Sequence, residues 1–235
     1  MMKIMKFNII ENNNDNILHS FLFSQQTKPY AAIDGLFSAF MPISKPLRLE
    51  AGAEFPLGTS KENAELVLLE DGICSFCHGE SQIHITTIFA PSVVGLVDGY
   101  ALTCEAPSWP QHYLLAETRC LGRTVSVMDF IRVANEQSLW HDVAQILAHR
   151  LVFMSARGKE MIGVDSYIKV RALLIEAWAY PEAYRSQISI MSFIQRRTGL
   201  SRSRILKILS ELKKGGYIDI ETGRLIYVRK LPLAY

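Results

Sequence analysis

The chain has 235 residues, 49% of them hydrophobic and 20% charged, a globular composition long enough for one large core or two smaller ones. No uninterrupted apolar run approaches the ~18 residues that mark a membrane span, the N-terminus lacks a signal-peptide core, and four irregularly spaced cysteines do not make a secreted disulfide framework, so the expected location is the cytoplasm. The net charge of +2 hides an asymmetry: from Arg185 onward 11 Lys/Arg face three acids, +8, while the first 184 residues hold 14 Lys/Arg and 20 Asp/Glu, −6. A basic module of this kind favours a polyanionic partner.

Residues 1–30 contain the polar "ENNNDN" and a short helical candidate, "ILHSFLFSQQ", which predict an N-terminal arm or a loosely docked helix. "AAIDGLFSAFM" places Ile33, Leu36, Phe37 and Phe40 on one helical face and ends before "PISKP". Between Leu47 and Val127, short β-rich runs separated by Gly, Pro, Asp and Ser predict an antiparallel barrel or roll, giving a sensor-like domain over 31–127. "EDG" after "LVLL" is a hairpin signal.

Residues 128–163 read as a helical linker and a long dimerisation helix. Ser138 is the expected N-cap. Trp140, Ala144, Leu147, Leu151, Met154, Gly158 and Met161 follow at four-three spacing, an a/d seam of about three heptads that favours a partner helix. Trp140, Ala144, Leu147, Leu151, Met154 and Met161 are therefore the candidate dimer contacts. Leu139, Val143 and Ile146 form a second strip, suited to the chain's own domain. "GVDS" breaks the helix, and Asp165 or Ser166 caps the next, "YIKVRALLIEAW".

The last domain, 164–235, reaches its densest signal in "SIMSFIQRRTGLSRSRILKILSELKKGGYI". Ile190, Phe193 and Ile194 make the apolar face of a first helix. Gly199 ends it in the left-handed region, which glycine enters cheaply. Ser201 caps a second helix whose face is Ile205, Ile208, Leu209 and Leu212. Two such helices joined by a tight turn are a helix-turn-helix, whose second helix enters the major groove with its N-terminal residues leading. "YIDIE" and "RLIYV" around "TG" add a β-hairpin wing. Double-stranded DNA is the expected partner.

"TGLSRSRILKILSELKKGGYI" resembles the helix-turn-helix of the cyclic-AMP receptor protein and fumarate-nitrate regulator (CRP/FNR) superfamily, and the order of parts over 31–231 resembles it too. "SRS", "L.KG.YI" and the ending "RKLPLAY" are similar to the branch named inhibitor of hydrogen peroxide resistance. The resemblance implies an α+β fold: an antiparallel β-roll like a cyclic-nucleotide-binding domain, a dimerisation helix and a winged helix-turn-helix. It implies a homodimeric transcription regulator on an inverted-repeat operator, with a role in oxidative stress consistent with the branch name. Carried across, Arg202, Ser203 and Lys207 read bases, while Ser201, Arg204, Arg196 and Arg197 contact phosphates. Ser203 replaces the glutamate of many members and Lys207 the arginine, so the usual operator is not implied.

Members that bind cyclic nucleotides carry a Gly-Glu pair followed by an arginine about ten positions later. Here Gly95 precedes Leu96, and neither Arg nor Lys occurs from Glu105 to Thr118. A buried phosphate without a counter-charge is costly, so cyclic AMP is not the expected ligand. Cys74 and Cys77 have C-x-x-C spacing, with Cys104 and Cys120 elsewhere. Residues three apart in a strand point to opposite faces, so no metal or cofactor site is assigned; zinc, an iron–sulfur cluster, haem, thiol oxidation and plain core packing stay open. P-loop, dinucleotide, zincin and nucleophile-elbow motifs are absent from the sequence, and an enzyme is not expected. The alternative function is a protein-interaction module whose roll binds a partner and whose basic tail is auxiliary.

Overall fold

The computed structural model describes residues 19–58, 60, 62–103 and 111–233. The elements in chain order are α1 (Ser20–Gln26), α2 (Tyr30–Phe40), β1 (Lys45–Leu49), β2 (Glu54–Pro56), β3 (Glu65–Asp71), β4 (Ile73–His78), β5 (His84–Phe89) and β6 (Ser92–Val94). Next come α3 (Leu96–Thr103), β7 (His112–Ala116), β8 (Cys120–Ser126), α4 (Val127–Glu136) and α5 (Trp140–Met161). The chain closes with α6 (Ser166–Ala179), α7 (Glu182–Arg185), α8 (Ile190–Thr198), α9 (Arg202–Lys214), β9 (Ile218–Glu221) and β10 (Arg224–Val228). Residues 29–147 form one compact unit and residues 19–28 with 148–233 another.

The first unit is the expected β-roll, made of two antiparallel four-stranded sheets ordered β1-β8-β3-β6 and β2-β7-β4-β5. Leu49, Val67, Leu69, Cys74, Leu114 and Cys120 pack between them. On its other face the first sheet presents Leu66, Leu68 and Val125 to Leu36, Phe40 and Phe130 of the helices. Burial on both sides explains why β3 reads as the continuous apolar run "LVLL" rather than alternating.

The structure departs from the sequence expectations at three places in this unit. Glu70, Asp71 and Gly72 do not close a hairpin; they carry the chain from the first sheet to the second. Gly72 has φ +101°, and a Cβ on it would meet Arg119 O at 2.6 Å, so neither the turn nor the space admits a side chain. Leu96–Thr103, within a stretch read as β-rich, is the helix α3. Ser138 is not an N-cap: it sits at φ 56°, where its amide donates to Asn135 O and the Leu139 amide to Ala134 O. That is the Schellman closure of α4, one residue beyond its C-cap Gln137.

In the second unit α6 is buried nearly all round, through Val170, Leu173, Leu174, Ile175 and Ala177, as befits a central helix. Asp165 caps it, accepting from the Ile168 amide at 2.9 Å. The candidate arm docks firmly where it is described. The Ser20 hydroxyl donates to Glu160 at 2.6 Å, and Phe21 is 1% exposed, set edge-on against Tyr180 at 5.0 Å. Among the described residues no helix is long and apolar enough to cross a membrane.

Candidate nucleic-acid interface

The helix-turn-helix is built as its local chemistry predicts. Ile190, Phe193 and Ile194 of α8 are buried. Gly199 closes the helix at φ 65°, ψ 9°, a left-handed C-cap that a Cβ would strain. Ser201 then adopts extended backbone and its hydroxyl accepts from the Arg204 amide at 3.3 Å, satisfying one of the donors left open at the start of α9. Ile205, Ile208, Leu209 and Leu212 are buried against the rest of the unit. The opposite face carries Arg202, Ser203, Arg204 and Lys207, all exposed. The helix dipole adds positive potential at this same end.

The wing is as expected. β9 and β10 pair antiparallel across Thr222 and Gly223, whose φ values of 48° and 80° match the mirror-image turn that suits a hairpin's twist. Ile218, Leu225 and Val228 are buried; Arg224, Arg229 and Lys230 are exposed. Lys213 bridges helix and wing, 2.9 Å from Asp219 and donating to Ile220 O at 2.9 Å.

One phosphate candidate must be corrected. Arg196 is exposed, but Arg197 is only 8% exposed. Its guanidinium lies 3.8 Å from the Phe193 ring centroid and donates to Phe193 O at 3.3 Å. It belongs to an internal charge cluster around Glu176, which receives Arg157 at 2.7 Å and the Tyr180 hydroxyl. Burial opposes the Glu176 charge, but the Arg157 and Arg197 guanidiniums and the hydrogen bonds from Arg157 and Tyr180 together hold its carboxyl down at about 2. The spacing was the signal: Arg197 stands seven residues after Ile190 and four after Phe193, on the apolar stripe.

The candidate dimer seam divides along α5. Trp140 and Leu147 are half-buried against the helical core of the roll, beside the buried Val143 and Ile146. Ala144 is exposed, and so are Leu151 (72%) and Met154 (42%); Met161 is half-buried. Val152 and Ile162 add to the uncovered apolar surface.

In the roll, Gly95 has φ +91°, and a Cβ there would meet Glu65 O at 2.9 Å. Asp98, in the first turn of α3, pairs with His112 Nδ1 at 2.6 Å. Beside α3 opens an apolar pocket of ~440 Å³ lined by Leu96, Val97, Phe130, Trp140, Val143 and Leu147. Residues 104–110, which hold part of the segment matched to the nucleotide cassette and Cys104, lie outside the described residues.

A two-sheet roll, a long helix and a capped, basic helix-turn-helix with its wing define the fold of CRP/FNR-type regulators. Residues 166–233 match the family model for winged helix-turn-helix DNA binding. The fold is that of a c-di-GMP-responsive global regulator from Xanthomonas campestris, with a TM-score of 0.63, 16% identity, and 84% of this chain and 100% of that one covered. It is equally that of a transcriptional regulator of the CRP/FNR family from Eubacterium rectale, with a TM-score of 0.63, 12% identity, and 86% and 94% covered. In sequence, the chain is 31% identical over 212 residues to the inhibitor of hydrogen peroxide resistance of Salmonella typhimurium, a match covering 83% of this chain and 100% of that one. The chain belongs to the inhibitor of hydrogen peroxide resistance family.

Proposed function

We propose that the protein regulates transcription as a homodimer on an inverted-repeat operator, in the response to hydrogen peroxide, and does so without cyclic AMP. The observation that carries the dimer is the uncovered stripe of Leu151, Met154 and Ile162 on α5 and the segment after it, apolar surface that a symmetric partner helix would bury. Arg202 reads a base edge, most naturally guanine through its paired donors, with Ser203 and Lys207 beside it. Ser201, Arg204 and Arg196 meet phosphates and fix the register. The run from Glu105 to Thr118 lacks Arg and Lys, and this argues against a bound cyclic phosphate, whose desolvation that run has no Arg or Lys to offset. The name shared by the relatives supports the peroxide response. Locations away from the membrane and a non-enzymatic role follow from the same reading.

The test is selection of random duplexes by the purified protein without added nucleotide, with Arg202→Ala in parallel. An inverted-repeat motif that weakens in the variant is expected. A motif obtained only after cyclic AMP is added would reject the nucleotide-independent reading. Failure to enrich any motif under either condition would favour a protein partner for the roll.

A further inference from the structure

The core of the roll contains a pair of thiols that the DNA-binding reading leaves unused. Cys74 lies on β4 of one sheet and Cys120 opens β8 of the other, 46 residues apart in sequence, with their Sγ atoms 3.5 Å apart. Both are buried, at 0% and 2% exposure, within the inter-sheet core. Strand ladders hold them from both sides: Cys74 is opposite Ala116 and Ile88, and Cys120 is opposite Leu49. Gly72 keeps the space open, since a Cβ there would come within 2.7 Å of Cys120 Sγ. Cys120 Sγ also lies 3.2 Å from Thr118 O and 3.4 Å from Ile73 O. Its neighbours in sequence, Arg119 and Leu121, are exposed, and Cys120 is the first residue of β8 while Cys74 is the second of β4, so the pair sits at strand ends.

The two thiols differ in acidity. The hydrogen bond with Cys74 brings Cys120 down to about 7 against the effect of burial, helped by contacts with Ile73 and Thr118. The same hydrogen bond, with burial, pushes Cys74 well up. A low-pKa thiol in contact with a second one has the parts needed for attack and for resolution.

We propose that Cys74 and Cys120 are a redox-active dithiol pair that closes to an inter-sheet disulfide in the presence of a hydroperoxide. The Cys120 thiolate attacks one peroxide oxygen; the S–O bond forms, the O–O bond breaks, and the departing hydroxide takes up a proton. Cys74 sulfur then attacks the resulting sulfenic acid. The S–S bond forms, the S–O bond breaks, and hydroxide leaves as water with the Cys74 proton. For hydrogen peroxide the two thiols give up two electrons and the oxidant is reduced to two waters. The sulfurs close by about 1.5 Å, to an ordinary disulfide length of about 2.05 Å. Cys77, three residues further along β4 and also buried, lies outside the pair and serves as its internal control.

The experiment treats the reduced full-length protein with a small excess of hydrogen peroxide, blocks remaining thiols with an alkylating agent under denaturing conditions, and maps the peptides without reductant. A Cys74–Cys120 linked peptide is expected, lighter by two hydrogens than its reduced halves and reverted by dithiothreitol, with thiols per chain falling from four to two. Cys77→Ser should keep the link and Cys120→Ser should lose it. Because the wild-type map needs no variant, a folding defect in either substitution does not decide the result. All thiols remaining reduced, a link from Cys74 to Cys77 or Cys104 instead, or Cys120 passing to sulfinic acid unlinked would each overturn the pair.

Discussion

Arg202 and Arg204 stand two residues apart at the exposed start of α9, yet their substitution should have different signatures. Arg202→Ala is expected to cost about 1–3 kcal/mol on the preferred operator and to relax the sequence preference at one position per half-site. Arg204→Ala should weaken binding evenly across sequences and flatten the salt dependence by about one unit per protomer. Titration of matched and mutated duplexes at two salt concentrations separates the two. Glu176 calls for a different measurement. Its folded carboxyl titrates at about 2, below the ordinary 4.5, so the unfolded chain binds the proton more readily. The stabilisation is therefore complete above pH ~4.5 and is lost as pH falls from there through about 2; a shift of this size corresponds to about 3 kcal/mol. Glu176→Gln should destabilise the protein at neutral pH by about 3–5 kcal/mol, because Arg157 then stays buried without its counter-charge. It should also flatten the acid limb of a stability curve followed by circular dichroism. Side chains of this cluster were poorly legible in the sequence. The spacing of Arg197 marks it as lying on the apolar stripe, but no local signal names its partner, Glu176, 21 residues earlier in the chain.

Elements were legible where their signals are local. Gly199, Ser201 and the Thr222–Gly223 turn each act within a few residues, and all three do in the structure what their chemistry demands. The roll was legible as a class, since short β-rich runs and turn residues are local too, but its pairing was not. That β3 passes to the other sheet at Gly72, or that Cys74 meets Cys120, depends on register between distant strands. Ser138 failed for another reason: serine is favoured as an N-cap, and here the end of α4 claims it in a left-handed conformation. That strain makes a prediction. Ser138→Gly removes the Cβ penalty and should stabilise the protein by about 1 kcal/mol, or about 2–4 °C in Tm for a domain of this size, despite glycine's greater freedom when unfolded. For α5, Leu151→Glu combined with Met154→Glu places charge on side chains exposed in the single chain, so the fold should persist. Sedimentation should then show a monomer, and affinity for an inverted repeat should fall towards that for a half-site.

At the scale of the whole molecule, charge divides the chain into an acidic and a basic part that composition alone averages to +2. The acidic portion gains nothing from duplex DNA, whereas the basic end carries exposed Arg196, Arg204, Arg224, Arg229 and Lys230 on its recognition helices and wing. If each finds a phosphate, a dimer has up to about ten such contacts, and each contact releases condensed counterions. Affinity should then fall by about 10³–10⁵ between 50 and 200 mM salt, a dependence measurable by fluorescence anisotropy on one operator duplex. The outcome discriminates between the two uses of the basic end. An auxiliary tail that follows a protein partner would give weak DNA binding with little preference among sequences, and removing the partner helix contact at Leu151 and Met154 would leave it unchanged. A regulator would show the steep slope on every duplex, with the preferred operator displaced to tighter binding by the base contacts of Arg202, and would lose about half the slope when reduced to a monomer.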